Sequence, residues 1–241
     1  MPCQARRQLL DGLQEVHVWT VSLDLGLADR EACLSTLTPS ERERAARFKF
    51  ERDKNRFIAG RARLRGILGN CLGIEPLEVR LDYGRFGKPR LAGRDAASGF
   101  HFNMSHSESL ALIAVGRGAV VGVDLERIRG GCDADEIVAR FFSPREKEVY
   151  EALSERLKPE AFFNLWTRKE AWLKATGLGI SRLLDQVEVS FVPGELPEVR
   201  TLPEGWGEAG SWTMHAWAPE RGFAAALVTG GFKQSELTGE N

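Results

Sequence analysis

Long apolar runs are missing from this 241-residue sequence. The longest, Leu110-Ala111-Leu112-Ile113-Ala114-Val115 and Phe223-Ala224-Ala225-Ala226-Leu227-Val228, are strand-sized and far short of the roughly 18 residues that cross a bilayer as a helix. Cysteine is scarce. The four present (Cys3, Cys33, Cys71, Cys132) form no Cys-x-x-Cys pair, which excludes a cysteine-based zinc site, and the four histidines form no His-Glu-x-x-His pair, which excludes a zincin-like one. Any metal here is expected to be held by oxygen. Charge of one sign is also lacking: 33 Lys and Arg against 34 Asp and Glu leave a net −1, which argues against a general nucleic-acid or membrane-surface binder. The opening Met1-Pro2-Cys3-Gln4-Ala5-Arg6-Arg7 leads into no apolar signal core, so a reduced, cytoplasmic protein is expected. What remains, 43% hydrophobic and 28% charged residues, is ordinary for a folded protein of one large or two small domains.

Charge is balanced globally but not locally. Residues 41–65 hold ten Lys/Arg and four acids, a local +6 that leaves −7 for the remainder. Such a window is either a solvated helix face or, where other phosphate-seeking groups join it, an anion site.

The chain repeats itself. Thr38-Pro39-Ser40-Glu41 and Ser143-Pro144-Arg145-Glu146 both read as capped helix starts, with a hydroxyl cap, a proline at the first helical position and a glutamate at the third. A longer helical pattern follows each: Phe57, Leu64, Ile67 and Leu68 in the first, Phe162, Trp166 and Leu173 in the second. Each half then reads Leu-Gly-Ile, at residues 72–74 and 178–180, before an alternating strand, at 77–81 and 187–191. The opening strands, 16–23 and 120–125, and the closing strands, 110–115 and 223–228, complete the match. This predicts an α+β pseudo-dimer of two similar halves, each a small, mostly antiparallel sheet packed with helices, with boundaries at 1–118 and 119–232 and a tail at 233–241. A ligand cleft is expected between the halves.

The second half concentrates carboxylates. Gly122-Val123-Asp124-Leu125-Glu126 is a buried strand running into acids at i and i+2, which project to one face and suit a divalent cation; the alternative is a pair of rim acids in surface salt bridges. In Trp166-Thr167-Arg168-Lys169-Glu170-Ala171-Trp172-Leu173-Lys174, residues 166, 170 and 174 fall on one helical stripe, so Glu170 is either a third ligand beside bulky aromatics or one end of a surface pair with Lys174. Asp124, Glu126 and Glu170 together would suit Mg2+. In the first half, Gly84-Arg85-Phe86-Gly87-Lys88-Pro89 is a loose turn ending in a lysine without Walker spacing, and Phe102-Asn103-Met104-Ser105-His106-Ser107 is a strand end leading into a polar turn.

Taken in order, Gly87-Lys88-Pro89, Ser105-His106-Ser107, Asp124-Leu125-Glu126 and Trp166-x-x-Lys169-Glu170-Ala171-x-x-Lys174 resemble the signatures of the Sfp-type 4′-phosphopantetheinyl transferases, over most of residues 35–230. The resemblance implies Mg2+-dependent transfer of the phosphopantetheine arm of coenzyme A to a serine of an apo acyl or peptidyl carrier protein, releasing adenosine 3′,5′-bisphosphate. It implies Asp124, Glu126 and Glu170 as metal ligands, Glu170 as the base for the carrier serine, directly or through a metal-bound water, and Lys174 on the transferred phosphate. Arg56, Lys88, Ser105, His106 and Asp124 would contact the coenzyme. The first helix of the family often carries a lysine where Glu41 stands, which leaves Arg44 to serve there. A monomer is expected, because the duplicated halves already supply an interface. The competing readings are a Mg2+-dependent nuclease, disfavoured by Ile128 where such sites want a lysine, and a non-catalytic module binding coenzyme A or the carrier.

Overall fold

The computed structural model describes residues 5–9, 15–84, 87–130, 133–177 and 183–230. The expected tail at 233–241, Cys3, Cys132 and the second Leu-Gly-Ile, at 178–180, lie outside them. Met1–Arg117 and Gly118–Asn241 form two compact units. No helix among the described residues is long and apolar enough to cross a membrane.

The first unit runs β1 (Ala5–Leu9), β2 (Val16–Ser22), α1 (Leu27–Ser35), α2 (Pro39–Ala46), α3 (Glu51–Leu72), β3 (Leu81–Tyr83), β4 (Pro89–Leu91), β5 (Phe100–Ser107) and β6 (Leu110–Arg117). Its main sheet is antiparallel in the order β1-β2-β6-β5, and β3 and β4 pair separately. The α2 start carries the expected capping box: Thr38 Oγ1 accepts from Glu41 N, and Glu41 Oε2 accepts from Thr38 N at 2.9 Å. Such caps contribute about 1 kcal/mol. α3 ends where Gly73 turns into the left-handed region at φ 69°, a conformation that favours glycine. The helix buries Ala59, Leu64, Ile67 and Leu68 in a core shared with Val21, Phe102, Ile113 and Val115 of the sheet.

The strand expected over residues 77–81 does not form over 77–80, and β3 begins only at Leu81. Pro76–Glu78 is a 3-10 turn closed by reciprocal Glu75 and Glu78 bonds, and Leu77 is 49% exposed. Pro76 favours the helical start, and the carbonyls of Pro76 and Val79 accept from the buried Arg65 Nη1 at 2.9 and 3.0 Å instead of pairing with a strand. Of the alternating Leu77, Val79 and Leu81, the first two belong to this turn, closed over a guanidinium, and only Leu81 enters a strand, as the first residue of β3.

The second unit runs β7 (Val120–Arg127), α4 (Ala134–Phe141), α5 (Pro144–Glu151), α6 (Lys158–Thr176), β8 (Glu188–Val189), β9 (Val199–Thr201), β10 (Trp212–Trp217) and β11 (Phe223–Gly230). Its sheet is antiparallel in the order β10-β11-β7, and β8 pairs with β9. The strand expected over 187–191 is thus only two residues long. α6 lies on this sheet, with Trp172 fully buried and edge-on to Trp206 and Trp212, ring centroids 5.5 and 5.9 Å apart.

One glycine sets how closely α6 lies. A Cβ at Gly122 would run into the Ala171 carbonyl oxygen and the Ala175 nitrogen, so helix backbone touches strand backbone there. A second device recurs in both units. The capping-box Glu146 of α5 takes a salt bridge from Lys169 of α6, which is 0% exposed and also donates to the Leu184 carbonyl at 2.5 Å. In the first unit Glu41 likewise takes one from the buried Arg65 of α3 at 2.7 Å. In each unit a short capped helix is pinned to the long helix after it through a buried ion pair.

Candidate active site

Gly122, Asp124 and Glu126 alternate onto one face of β7, and the contact at Gly122 makes that the face under α6. Glu170 and Lys174, one turn apart on α6, come down on the same region. Lys174 Nζ donates to Asp124 Oδ1 at 2.5 Å; Asp124 and Glu170 are buried, and Glu126 is half-buried. The surface pair between Glu170 and Lys174 is therefore not what forms: Glu170 is 3% exposed, and the lysine turns to the strand.

Glu170 sits under electrostatic stress. Burial first, then the nearby Asp124 carboxylate and more weakly Glu126, push its carboxyl up to about 7, against a smaller opposing pull from Lys174. Its Oε1 is buried with no hydrogen-bond donor among the described residues. These features fit a hard cation: three carboxylates offer oxygen only, they repel one another, and one oxygen still wants a partner. As the side chains stand, no three Asp, Glu, His or Cys among the described residues close into a ready cage, and the Lys174 ammonium holds one Asp124 oxygen.

The first unit holds a cavity of about 420 Å3 whose lining includes Arg44, Asp53, Arg56, Phe57, Gly60, Arg61, Met104, His106 and Glu108. Five of these, 53, 56, 57, 60 and 61, form a single stripe of α3. A side chain at Gly60 would meet Met104 Cε at 2.7 Å, so the glycine keeps helix and β5 close at this wall. The β5–β6 turn passes through Glu108 at φ 51°, in the left-handed region a glutamate rarely adopts. Arg44 lies over Phe57, 5.3 Å from the ring centroid, and Arg56 pairs with Asp24 at 3.2 Å.

Comparison with known proteins decides the family. Residues 27–117 match the profile described as 4′-phosphopantetheinyl transferase, N-terminal, and residues 120–228 that of the 4′-phosphopantetheinyl transferase superfamily. The chain is 41% identical over 218 residues to the 4′-phosphopantetheinyl transferase HetI of Nostoc sp., covering 90% of this chain and 89% of that one. The chain belongs to the 4′-phosphopantetheinyl transferase family. It is also 28% identical over 190 residues to the transferase Sfp of Bacillus subtilis, covering 76% of this chain and 82% of that one. To the L-aminoadipate-semialdehyde dehydrogenase-phosphopantetheinyl transferase of Homo sapiens it is 29% identical over 201 residues, covering 78% of this chain and 65% of that one.

In this transferase, Asp124, Glu126, Glu170 and Lys174 gather in the second unit, while Arg56 and His106 share the cavity of the first. Ser105 and Lys88 are not in that lining. Ser105 alternates to the opposite face of β5 from His106 and is buried; Lys88 lies near His101, whose pKa is lowered by burial first and by the Lys88 charge second. Glu41 does not line the cavity either, since its carboxylate closes the α2 cap and meets Arg65. Sequence reasoning read Phe57 only as part of an apolar helical pattern and Arg61 only as part of the basic window, and gave Asp53 no role. The signal was present: residues 53, 56, 57, 60 and 61 follow i, i+3, i+4, i+7, i+8 spacing, a stripe that is polar where a core-facing one would be apolar.

Proposed function

We propose that this enzyme transfers 4′-phosphopantetheine from coenzyme A to a serine hydroxyl of an apo acyl or peptidyl carrier protein, releasing adenosine 3′,5′-bisphosphate. The observation that carries the reading is the convergence of Asp124, Glu126, Glu170 and Lys174, with Glu170 raised to about 7. In the step, the serine Oγ forms a bond to the β-phosphorus of the coenzyme diphosphate while the bond to the bridging oxygen breaks. The serine proton leaves to a carboxylate oxygen of Glu170, directly or through an intervening water. Lys174, which rests on Asp124, exchanges that partner for an oxygen of the transferred phosphate. Mg2+ held by Asp124, Glu126 and Glu170 would supply positive charge to the diphosphate as it comes apart.

The division of labour is that residues 1–118 hold the coenzyme and 119–232 carry out the chemistry. Arg56, Lys88, Ser105 and His106 serve the phosphates and adenine, and Asp124 contacts the coenzyme besides its role toward the metal. The protein acts as a cytoplasmic monomer, with the carrier as its macromolecular partner and neither nucleic acid nor membrane required. The test is chromatographic: adenosine 3′,5′-bisphosphate is expected only when enzyme, coenzyme A, Mg2+ and apo carrier are all present, and Asp124→Ala and Glu170→Ala are expected to abolish it while remaining folded. Coenzyme binding without product on any carrier would make the chain a binding module; Mg2+-dependent plasmid nicking would revive the nuclease reading.

A further inference from the structure

Arg61 has a geometry that packing alone does not explain. It leaves the middle of α3 with its side chain 11% exposed and lines the cavity of the first unit. Its Nε lies 3.5 Å from Glu41 Oε1. That carboxylate is already engaged: Glu41 Oε2 accepts from Arg65 Nε at 2.7 Å, from Thr38 N at 2.9 Å and from the Thr38 hydroxyl at 3.1 Å. Glu41 is thus a fixed post, held from three sides, and Arg61 leans on its remaining oxygen at longer range. Meanwhile Arg61 Nη1 is buried with no acceptor among the described residues. A buried guanidinium N–H without an acceptor is costly to maintain.

The surroundings sharpen the point. Arg61 Cζ stands 5.7 Å from the Phe57 ring centroid, and Arg44 Cζ stands 5.3 Å from the same ring, so two guanidiniums converge on one aromatic side chain. Arg61 is also 5.9 Å from the Tyr83 ring. The cavity lining then carries Arg44, Arg56, Arg61 and His106 against Asp53 and Glu108. Like charges gathered over an apolar ring repel unless an anion comes between them, and a guanidinium fork matches phosphate oxygens in pairs.

We infer that Arg61, oriented by Glu41, binds a phosphate of the nucleotide end of the substrate together with Arg44. The inference rests on the coenzyme A reading above and deepens it. Glu41 acts through Arg61 and is a positioning residue. The acid at 41 therefore does not weaken anion binding in the cavity: its charge is absorbed by Arg65 and Arg61.

Calorimetric titration of the intact protein with adenosine 3′,5′-bisphosphate, adenosine 5′-monophosphate and adenosine tests this without turnover. Arg61→Gln keeps a donor toward Glu41 and most of the packing on Phe57. It is expected to weaken bisphosphate binding at least tenfold and leave adenosine binding unchanged. Loss toward the monophosphate as well assigns the contact to the 5′-phosphate, and its absence assigns it to the 3′-phosphate. Arg61→Lys, which keeps the charge without the fork, is expected to fall between the wild type and Arg61→Gln, and carries the test alone if the glutamine variant does not fold. Wild-type bisphosphate affinity in a folded variant, or equal losses toward bisphosphate and adenosine, overturns the inference while sparing the coenzyme reading. A wild-type protein that binds neither bisphosphate nor coenzyme A overturns both.

Discussion

Replacing Glu170 by glutamine tests the electrostatic account of the site most sharply, because it should inactivate the enzyme and stabilise it at once. Burial and the Asp124 carboxylate raise the Glu170 carboxyl from 4.5 to about 7. A group raised in this way contributes stability that is fully present below the unfolded value near 4.5 and is lost as pH rises through the folded value near 7. The loss amounts to about 3 kcal/mol once Glu170 is forced to ionise in the metal-free protein. Glutamine has nearly the same shape and does not ionise. In EDTA, thermal melts of the wild type and Glu170→Gln should therefore nearly coincide at pH 5 and diverge by pH 8, the variant melting roughly 6–12 °C higher for a chain of this length. Millimolar Mg2+ should then raise the wild type toward the variant, because a cation offsets the repulsion between carboxylates. Parallel melting curves from pH 5 to 8, or a variant less stable than the wild type at pH 8, would refute the claim that these carboxylates crowd a buried Glu170.

Other substitutions probe the supports of the site. Gly122→Ala puts a methyl group into the backbone of α6; a drop of about 3 kcal/mol in urea unfolding is expected, near the upper end for overpacking, and a wild-type midpoint would show that α6 has room to move. Lys169→Met strands Glu146 and should cost about 3–5 kcal/mol, whereas adding Glu146→Leu should recover much of it, an outcome urea titration of the double variant decides. Lys174→Ala should lower kcat by roughly 10²–10³ through loss of the phosphate contact, and an unchanged kcat would remove the lysine from the chemistry. His106→Ala should raise the KM for coenzyme A with little change in kcat; an unchanged KM would withdraw its phosphate role.

Much of the fold was legible in the sequence because its signals are local. Thr38-Pro39-Ser40-Glu41 and Ser143-Pro144-Arg145-Glu146 announce their capped helices within four residues, and the apolar runs of 110–115, 120–125 and 223–228 are buried strands with few other options. Alternation alone misread residues 77–81, where Pro76 and a buried arginine from the preceding helix impose a turn. Long-range pairing was equally hidden. Nothing in the Lys169-Glu170 dipeptide says that the lysine is fully buried on a cap glutamate 23 residues earlier while its neighbour faces the carboxylates of a strand. The basic window of 41–65 divides in the same way: Arg65 is structural, and Arg44, Arg56 and Arg61 line a cavity, Arg56 with Asp24 as its partner, a sorting made by helical phase and not by charge count.

The measurement that bears most directly on the central claim is the intact mass of several apo carrier proteins after incubation with this enzyme, coenzyme A and Mg2+, beside an EDTA control. A gain of one phosphopantetheine arm on at least one carrier, prevented by EDTA and by Glu170→Ala, is the predicted result. Unchanged masses on every carrier that a known transferase converts in parallel would contradict it.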